Sequence, residues 1–469
     1  MTAPGAARPG SAPGVASPPR GPGGGRPDLD VAVIGAGLAG LATAHRLVRA
    51  GRSVQVFEAA DRVGGRMAST VDDGYRIDEG AETIAARGYP ATWQLIRSVG
   101  LTPAEVLPID HSLALWRRGR AHARLGHPAG LLTGAGMSAR GRLDWLRFGA
   151  TLARPMDLDR PEATPFGELT IRQVADRYHR DVHDALLQPL SGCFFGWHSE
   201  RSAIGPMAAM LAAVGGVAAR WMTFRDGMDT LTRALAARLH VATGSPLAQL
   251  TEHPGAVRLC FADGRELTAR QAVLALPAPQ ALALHPGLPA DERPFLAASG
   301  YTPMIKVICR LDRALPSPTR SPSYGLIVPG SESRVLAGAI LDHLKAPGRV
   351  PPGRGLVSLL LAPWAVPGLL DPATTSDAEI TALATTEADR FLPGLRTALC
   401  GAHVRRYPHG LPEVTPAAVR LRPAFLSRPL RRIDYAGDWL ALRPNSEAAA
   451  ASAGHPTHRL TSAPTRTAR

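Results

Sequence analysis

The segment Gly35-Ala36-Gly37-Leu38-Ala39-Gly40 constrains this chain more than any other. It follows a short apolar run, Asp30 to Ile34, and precedes an amphipathic stretch from Leu38 to Ala50 that stops at Gly51. Ser53 to Phe57 then reads as a second strand. Strand, glycine turn, helix and strand within about 30 residues make a βαβ unit, the opening of a doubly wound parallel sheet. Gly35 permits the tight turn, Gly37 lets a pyrophosphate approach the positive end of the helix, and Gly40 lets helix and strand pack closely. Ala36, Leu38 and Ala39 complete that turn. Glu58, with Ala59 beside it, ends the second strand where a carboxylate accepts the ribose hydroxyls of an adenosine. The spacing predicts a dinucleotide site, since a glycine-rich turn without a ligand does not require Glu58.

At 469 residues the chain suits two or three domains, or two interleaved ones. Long amphipathic helices are expected from about Trp116 to Met222, notably Arg140 to Leu152 and Ile171 to Leu190, and the apolar run from Ala208 to Ala219 reads as a buried helix. Asp226 to Leu231 opens another helix. Val257 to Phe261 and Glu266 to Leu267 flank Ala262-Asp263-Gly264-Arg265 as a hairpin, and Gln271 to Leu276 reads as a buried strand. Strands follow at 300–310 and 355–361, a helix at Asp377 to Phe391, a strand at Ile433 to Ala436, and an alanine-rich helix from Ser446.

Two further motifs distinguish NAD from FAD. Arg62-Val63-Gly64-Gly65-Arg66 follows Glu58, and Asp72-Asp73-Gly74-Tyr75-Arg76-Ile77-Asp78-Glu79-Gly80-Ala81-Glu82 comes next. They resemble the RxGGR and DxGxxxDxGA segments of the flavoprotein superfamily of amine oxidases, protoporphyrinogen oxidases and phytoene desaturases. Near the end, Tyr435-Ala436-Gly437-Asp438-Trp439 and Pro444-Asn445-Ser446-Glu447-Ala448-Ala449 are similar to that superfamily's GD segment and flavin-closing helix. The resemblance implies an FAD-binding doubly wound (Rossmann-like) α/β domain with an inserted mixed α+β substrate domain. It places cofactor contacts at Arg62, Gly64, Gly65, Arg66, Gly80, Ala81 and Glu82, at Leu247 on the adenine side, and at Gly437, Asp438, Ser446, Glu447 and Ala448. The FAD domain is expected at 28–115, 223–290 and 428–462, and the substrate domain at 116–222 and 291–427. A disordered leader is expected at 1–27 and a flexible tail at 463–469.

Resemblance also implies the chemistry: a hydride passes from substrate to flavin N5, and oxygen takes the electrons. Lys306, within Met304-Ile305-Lys306-Val307-Ile308-Cys309, aligns with the strand lysine that holds a water against flavin N5; otherwise it is an exposed strand residue. Arg406 to Pro412 offers no partner for the flavinylating cysteine of monoamine oxidases, so FAD is expected to be non-covalent. Asn445 stands where those enzymes place a cage tyrosine, and the Tyr407 to Pro412 stretch is closer to the protoporphyrinogen oxidase branch. The substrate is therefore an amine or a larger apolar molecule, with a protoporphyrinogen-oxidase-like or desaturase-like dehydrogenase as the alternative. Some relatives of this fold bind prenylated partners without flavin chemistry, and intact Gly35, Gly37, Gly40, Glu58, Arg66 and Asp438 argue against that. Leu186 to Trp197 is either plain core or an apolar substrate wall, and His198 and His409 are candidate bases.

Composition closes other routes. The net charge of +14 invites nucleic acid, yet Arg8, Arg20, Arg26, Arg459, Arg466 and Arg469 at the two ends supply six of those charges, and no basic run is interleaved with aromatics. Only Lys306 and Lys345 are lysines. Cys193, Cys260, Cys309 and Cys400 lack metal or disulfide spacing, no metal is expected, and a reducing cytoplasm fits. No apolar stretch reaches the roughly 18 residues of a membrane span.

Overall fold

The computed structural model describes residues 27–127, 130 and 136–462. The expected leader, apart from Pro27, and the tail at 463–469 lie outside the described residues.

β1 (Leu29–Ile34), α1 (Leu38–Arg49) and β2 (Val54–Phe57) form the βαβ unit read from the sequence. β1 lies parallel to β2 and, on its other side, parallel to Glu266–Leu274; His240–Ala242 and Ile433–Tyr435 add further parallel strands. Val31, Ala32, Val33, Val56 and Val273 have no solvent exposure. Strands covered on both faces read as continuous apolar runs, which is why these were legible. The hairpin at 262–265 folds Ala256–Phe261 back onto Glu266–Leu274. Glu266–Leu267 and Gln271–Leu276, read as separate strands, are one strand, because parallel pairing to β1 runs through Ala269 and Gln271 without a break.

A second sheet runs, in spatial order, through Leu399–Pro412, Tyr301–Leu311, Gly355–Leu361, Leu336–Leu341, Ser323–Ile327, Ser112–Arg117 and Arg120–His122. A boundary after residue 115 would cut Ser112–Arg117, which pairs in parallel with Ser323–Ile327. Between the sheets the chain makes a hairpin of β3 (Ser69–Asp72) and β4 (Tyr75–Asp78), followed by α2 (Pro90–Ser98).

The region expected to be long helices is partly so. Ala139–Leu152 and Gly205–Val214 are α-helical. The single helix expected over Ile171 to Leu190 is instead Ile171–Ala175, Arg180–Val182 and Gln188–Leu190, with wide π-turns at His183–Leu187 and Ser191–Phe195. Pro189 has no N–H to give to a regular i→i−4 ladder, and widened turns accommodate such breaks. Among the described residues no helix is long and apolar enough to cross a membrane. Arg459, read as part of a flank with no acid to face, lies in the last helix and donates to Asp434 Oδ2 at 2.7 Å.

Candidate active site

Both ends of the chain meet around one cavity of about 660 Å³, within the range of cofactor and substrate sites. Its first end is the glycine turn. Gly35 has φ +103°, a conformation that favours glycine, and a Cβ on Gly40 would fall 1.9 Å from the Gly35 carbonyl oxygen. Gly37 differs, because a Cβ there would meet nothing within 4 Å: its space opens into the cavity. Packing therefore fixes Gly35 and Gly40 as glycines, whereas the space at Gly37 is open. Glu58 lines the same end and accepts from the N–H groups of Ala36 at 2.7 Å and Ala60 at 3.0 Å.

Along one wall run Gly64, Gly65, Arg66, Gly80, Ala81 and Glu82. The Arg66 guanidinium donates to both oxygens of Asp438, at 2.8 and 2.9 Å, and to the Gly410 carbonyl at 2.9 Å. That bidentate pair joins the N-terminal motif to the C-terminal one across 372 positions. Gly80 packs under Arg66, with no room for a Cβ 2.3 Å from the Arg66 carbonyl. Gly437, Asp438, Asn445 and Ser446 close the cavity, and the buried Ser446 Oγ has no hydrogen-bond partner among the described residues.

Several expected contacts lie elsewhere. Ala36, Gly40, Ala59, Leu247 and Ala448 are not in the cavity wall; Leu247 instead begins a strand paired to Phe261, and Ala448 gives its N–H to Asn445 Oδ1 at 2.8 Å. The Arg62 guanidinium, half exposed, turns to Glu79 at 2.5 Å rather than to the cavity. Glu447 also turns away: its carboxylate accepts from Ala91 N at 2.9 Å and Thr92 N at 2.8 Å, capping α2. Carboxylates are drawn to free N–H groups at helix starts, and α2 lacks a side-chain cap of its own.

Lys306 is not exposed. Its side chain is fully buried, and its ammonium donates to the Asp78 carbonyl at 2.5 Å and to Glu82 Oε1. Lys345, the other lysine, is equally buried, donates to Glu82 Oε2 and to Asp78 Oδ2 at 2.9 Å, and forms an ion pair with Asp342 Oδ1 at 2.8 Å. Arg349 completes the group at Asp78 Oδ2, 2.6 Å. Although burial works against its charge, Lys345 and Arg349 hold the Asp78 carboxyl well below the usual range. Asp78, Glu82 and Asp342 bring carboxylate oxygens within 4.8 Å of one another, and the cations among them are the chain's own. Only Glu82 of this group reaches the cavity wall.

The remaining wall is largely apolar or aromatic: Leu113, Phe194, Met210, Trp221, Tyr324 and Ile340 among others, with Phe194 and Trp221 stacked at 6.3 Å. Cys193, Phe194 and Phe195 all reach it from the second π-turn, so the run that read as core or substrate wall supplies wall. Trp197 of that run is buried and donates to the Pro412 carbonyl. Tyr407, Pro408, His409 and Leu411 face the cavity, whereas His198 does not. Burial pushes the Cys193 thiol up to about 12 and, together with the Arg66 charge, lowers the His409 ring. Tyr89, Met210, Trp221 and Ala275 to Pro277 were not singled out from the sequence; nothing in their spacing separates them from core.

The sequence pattern of the family described as flavin containing amine oxidoreductase matches residues 38–445. The chain belongs to that family. It is an FAD-dependent oxidoreductase. Protoporphyrinogen oxidase 2 of Arabidopsis thaliana is 42% identical over 80 residues, 17% of this chain and 16% of that protein. The chain thus matches well under two thirds of that relative's length in sequence. In structure, a triple mutant of putrescine oxidase superposes with TM-score 0.75 at 16% identity, over 92% of this chain and 98% of that one. Cyclohexylamine oxidase from Brevibacterium oxydans gives 0.71 at 18% identity, over 93% and 99%. These likenesses show the fold. The residues present fit the cofactor: space opens at Gly37, and in the same cavity Ser446 Oγ has no partner among the described residues.

Proposed function

We propose that this enzyme removes a hydride from an uncharged, largely apolar small molecule, with FAD held non-covalently and oxygen as the final acceptor. The observation that carries this is the charge inventory of the cavity wall. Arg66 and Asp438 neutralise each other, Glu82 is held by two lysines, and Glu58 is engaged by backbone N–H groups. Among the described wall residues no carboxylate is left to receive a cationic amine. Desolvating an unpaired ammonium against Phe194, Trp221 and Ile340 costs several kcal/mol. A larger apolar substrate, oxidised at C–C or C–N as in the protoporphyrinogen oxidase and desaturase branch, fits this wall better than a diamine.

In this reading Gly35, Gly37, Gly64 and Gly65 let the backbone approach the pyrophosphate, and Glu58 takes the adenosine ribose. Gly80, Ala81, Gly437 and Asp438 would line the flavin's part of the cavity, Ser446 Oγ would be free to donate to it, and the cations behind Glu82 would favour electron transfer to oxygen. The bound flavin supplies the two-electron chemistry. The Rossmann-like sheet and its C-terminal return form the cofactor domain, and the second sheet with the helical insert forms the substrate domain. Cys193, the described cysteine in the wall, is protonated at neutral pH and a poor nucleophile, which supports non-covalent attachment.

Anaerobic mixing tests the substrate class. Uncharged apolar donors such as porphyrinogens should bleach the flavin absorbance, and short diamines should leave it unchanged. Fast bleaching by a diamine with no response to any apolar donor reverses the proposal.

A further inference from the structure

The chain holds 53 basic residues, and its only two lysines both end on Glu82. The groups facing that carboxylate are Lys306 from strand Tyr301–Leu311, Lys345 and Asp342 from helix Asp342–Lys345, Asp78 from β4 with Arg349 beyond it, and Tyr324 from strand Ser323–Ile327. Three carboxylates and three cations balance when Glu82 is ionised. A proton on Glu82 leaves one positive charge at the cavity wall. Glu82 is also the member of this group that lines the cavity, between Ala81 and Thr83.

We propose that Glu82 is the proton-exchange residue of the cavity, taking up one proton when two electrons arrive there and releasing it when they leave. The inference rests on the family reading and on flavin occupying this cavity. During substrate oxidation a C–H bond breaks and its electron pair leaves with the hydrogen as hydride to the flavin. The adjacent X–H bond breaks, its electrons form the new C=X bond, and its proton passes to a Glu82 oxygen, displacing one ammonium contact. When oxygen takes the two electrons, that proton and the transferred hydrogen complete hydrogen peroxide, and Glu82 returns to its lysines.

Other groups in the wall are less suited. Glu58 and Asp438 are occupied by backbone donors and by Arg66. Burial pushes Tyr407 and the Cys193 thiol up to about 12, so they stay protonated. His409 is the rival, but Arg66 and burial disfavour its protonated form. Burial raises the Glu82 carboxyl against the pull of its two ammoniums, which favours its protonated form.

The test is the pH dependence of the bound flavin's midpoint potential in the holoenzyme, compared with Glu82→Gln and His409→Gln. One extra proton per two electrons steepens the slope by about 30 mV per pH unit. Wild type and His409→Gln should share the steeper slope, and Glu82→Gln should lose it. Equal slopes in wild type and Glu82→Gln overturn the proposal, as does loss of the slope in His409→Gln instead. Should Glu82→Gln fail to fold, the reduced-minus-oxidised infrared spectrum of wild type labelled with ¹³C-glutamate decides. A protonated carboxyl band that appears on reduction and moves with the label supports Glu82, and its absence overturns it. Protein that carries no flavin refutes the reading beneath, and is visible before either measurement.

Discussion

At the scale of single residues, the two inner glycines of the turn make opposite demands. Gly40→Ala forces a methyl against the Gly35 carbonyl, so the thermal midpoint of the apoprotein should fall along with FAD affinity. Gly37→Ala adds a methyl in open space, so the apoprotein should melt as wild type while FAD binding weakens, read by equilibrium titration and thermal melts of the two variants. An unchanged FAD affinity in Gly37→Ala would remove that position from the cofactor path. Glu58→Gln should weaken FAD binding by roughly 1.5–3 kcal/mol, the worth of one hydrogen bond to a charged group, without altering the reduction rate of FAD-saturated protein. Lys306→Met, which an exposed strand position would tolerate, removes the fully buried cation of its pair with Glu82. It should slow reoxidation by oxygen and also destabilise the fold, by about 3–5 kcal/mol.

At the scale of elements, the lysine and carboxylate group is the seam between β4, strand Tyr301–Leu311 and helix Asp342–Lys345. Lys345→Met leaves Asp78 and Asp342 partly unpaired, and denaturant unfolding should register a loss of about 3–5 kcal/mol; a change under 1 kcal/mol would mean that Arg349 alone holds the seam. Element-level legibility followed burial pattern. β1, β2 and the core of Glu266–Leu274 were readable because parallel strands covered on both sides are uniformly apolar. The π-turns around Pro189 were not, because a period near 3.6 looks the same whether or not the ladder breaks. Within the site, Gly35, Gly37, Glu58, Arg66 and Asp438 were legible because backbone approach and charge pairing demand particular residue types. Lys306 stood out as one of two lysines, but its burial and its meeting with Lys345 at Glu82 depend on a contact between strands and helix far apart in sequence. The contact of Glu447 with α2 was not legible, because an acid at a helix start serves a ligand or a neighbouring helix equally well, and only the position of α2 reveals the second.

At the scale of the whole molecule, the C-terminal return is fixed by a buried ionic network in which Arg428 and Arg459 converge on Asp434, with Glu292 and Tyr435 beside them. His285 and His455 sit in this region, and burial pushes both down to about 4. An unfolded chain titrates these rings near 6.5 and so binds more protons than the folded one between about 4 and 6.5. Their contribution to stability is full above that upper value and lost as pH falls toward 4. The thermal midpoint should therefore drop over this window, and less steeply in a His285→Gln, His455→Gln variant; identical profiles would assign the acid sensitivity elsewhere. The same return brings Asp438 and Ser446 to the cavity that begins at Gly35, so the proposed cofactor site is complete only when the N-terminal and C-terminal motifs are joined. The most direct measurement of that account is acid denaturation of the purified, yellow protein followed by analysis of pellet and supernatant. Release of one intact FAD per chain into the supernatant is the predicted result; a colourless protein, or flavin retained on the precipitated chain, would contradict it.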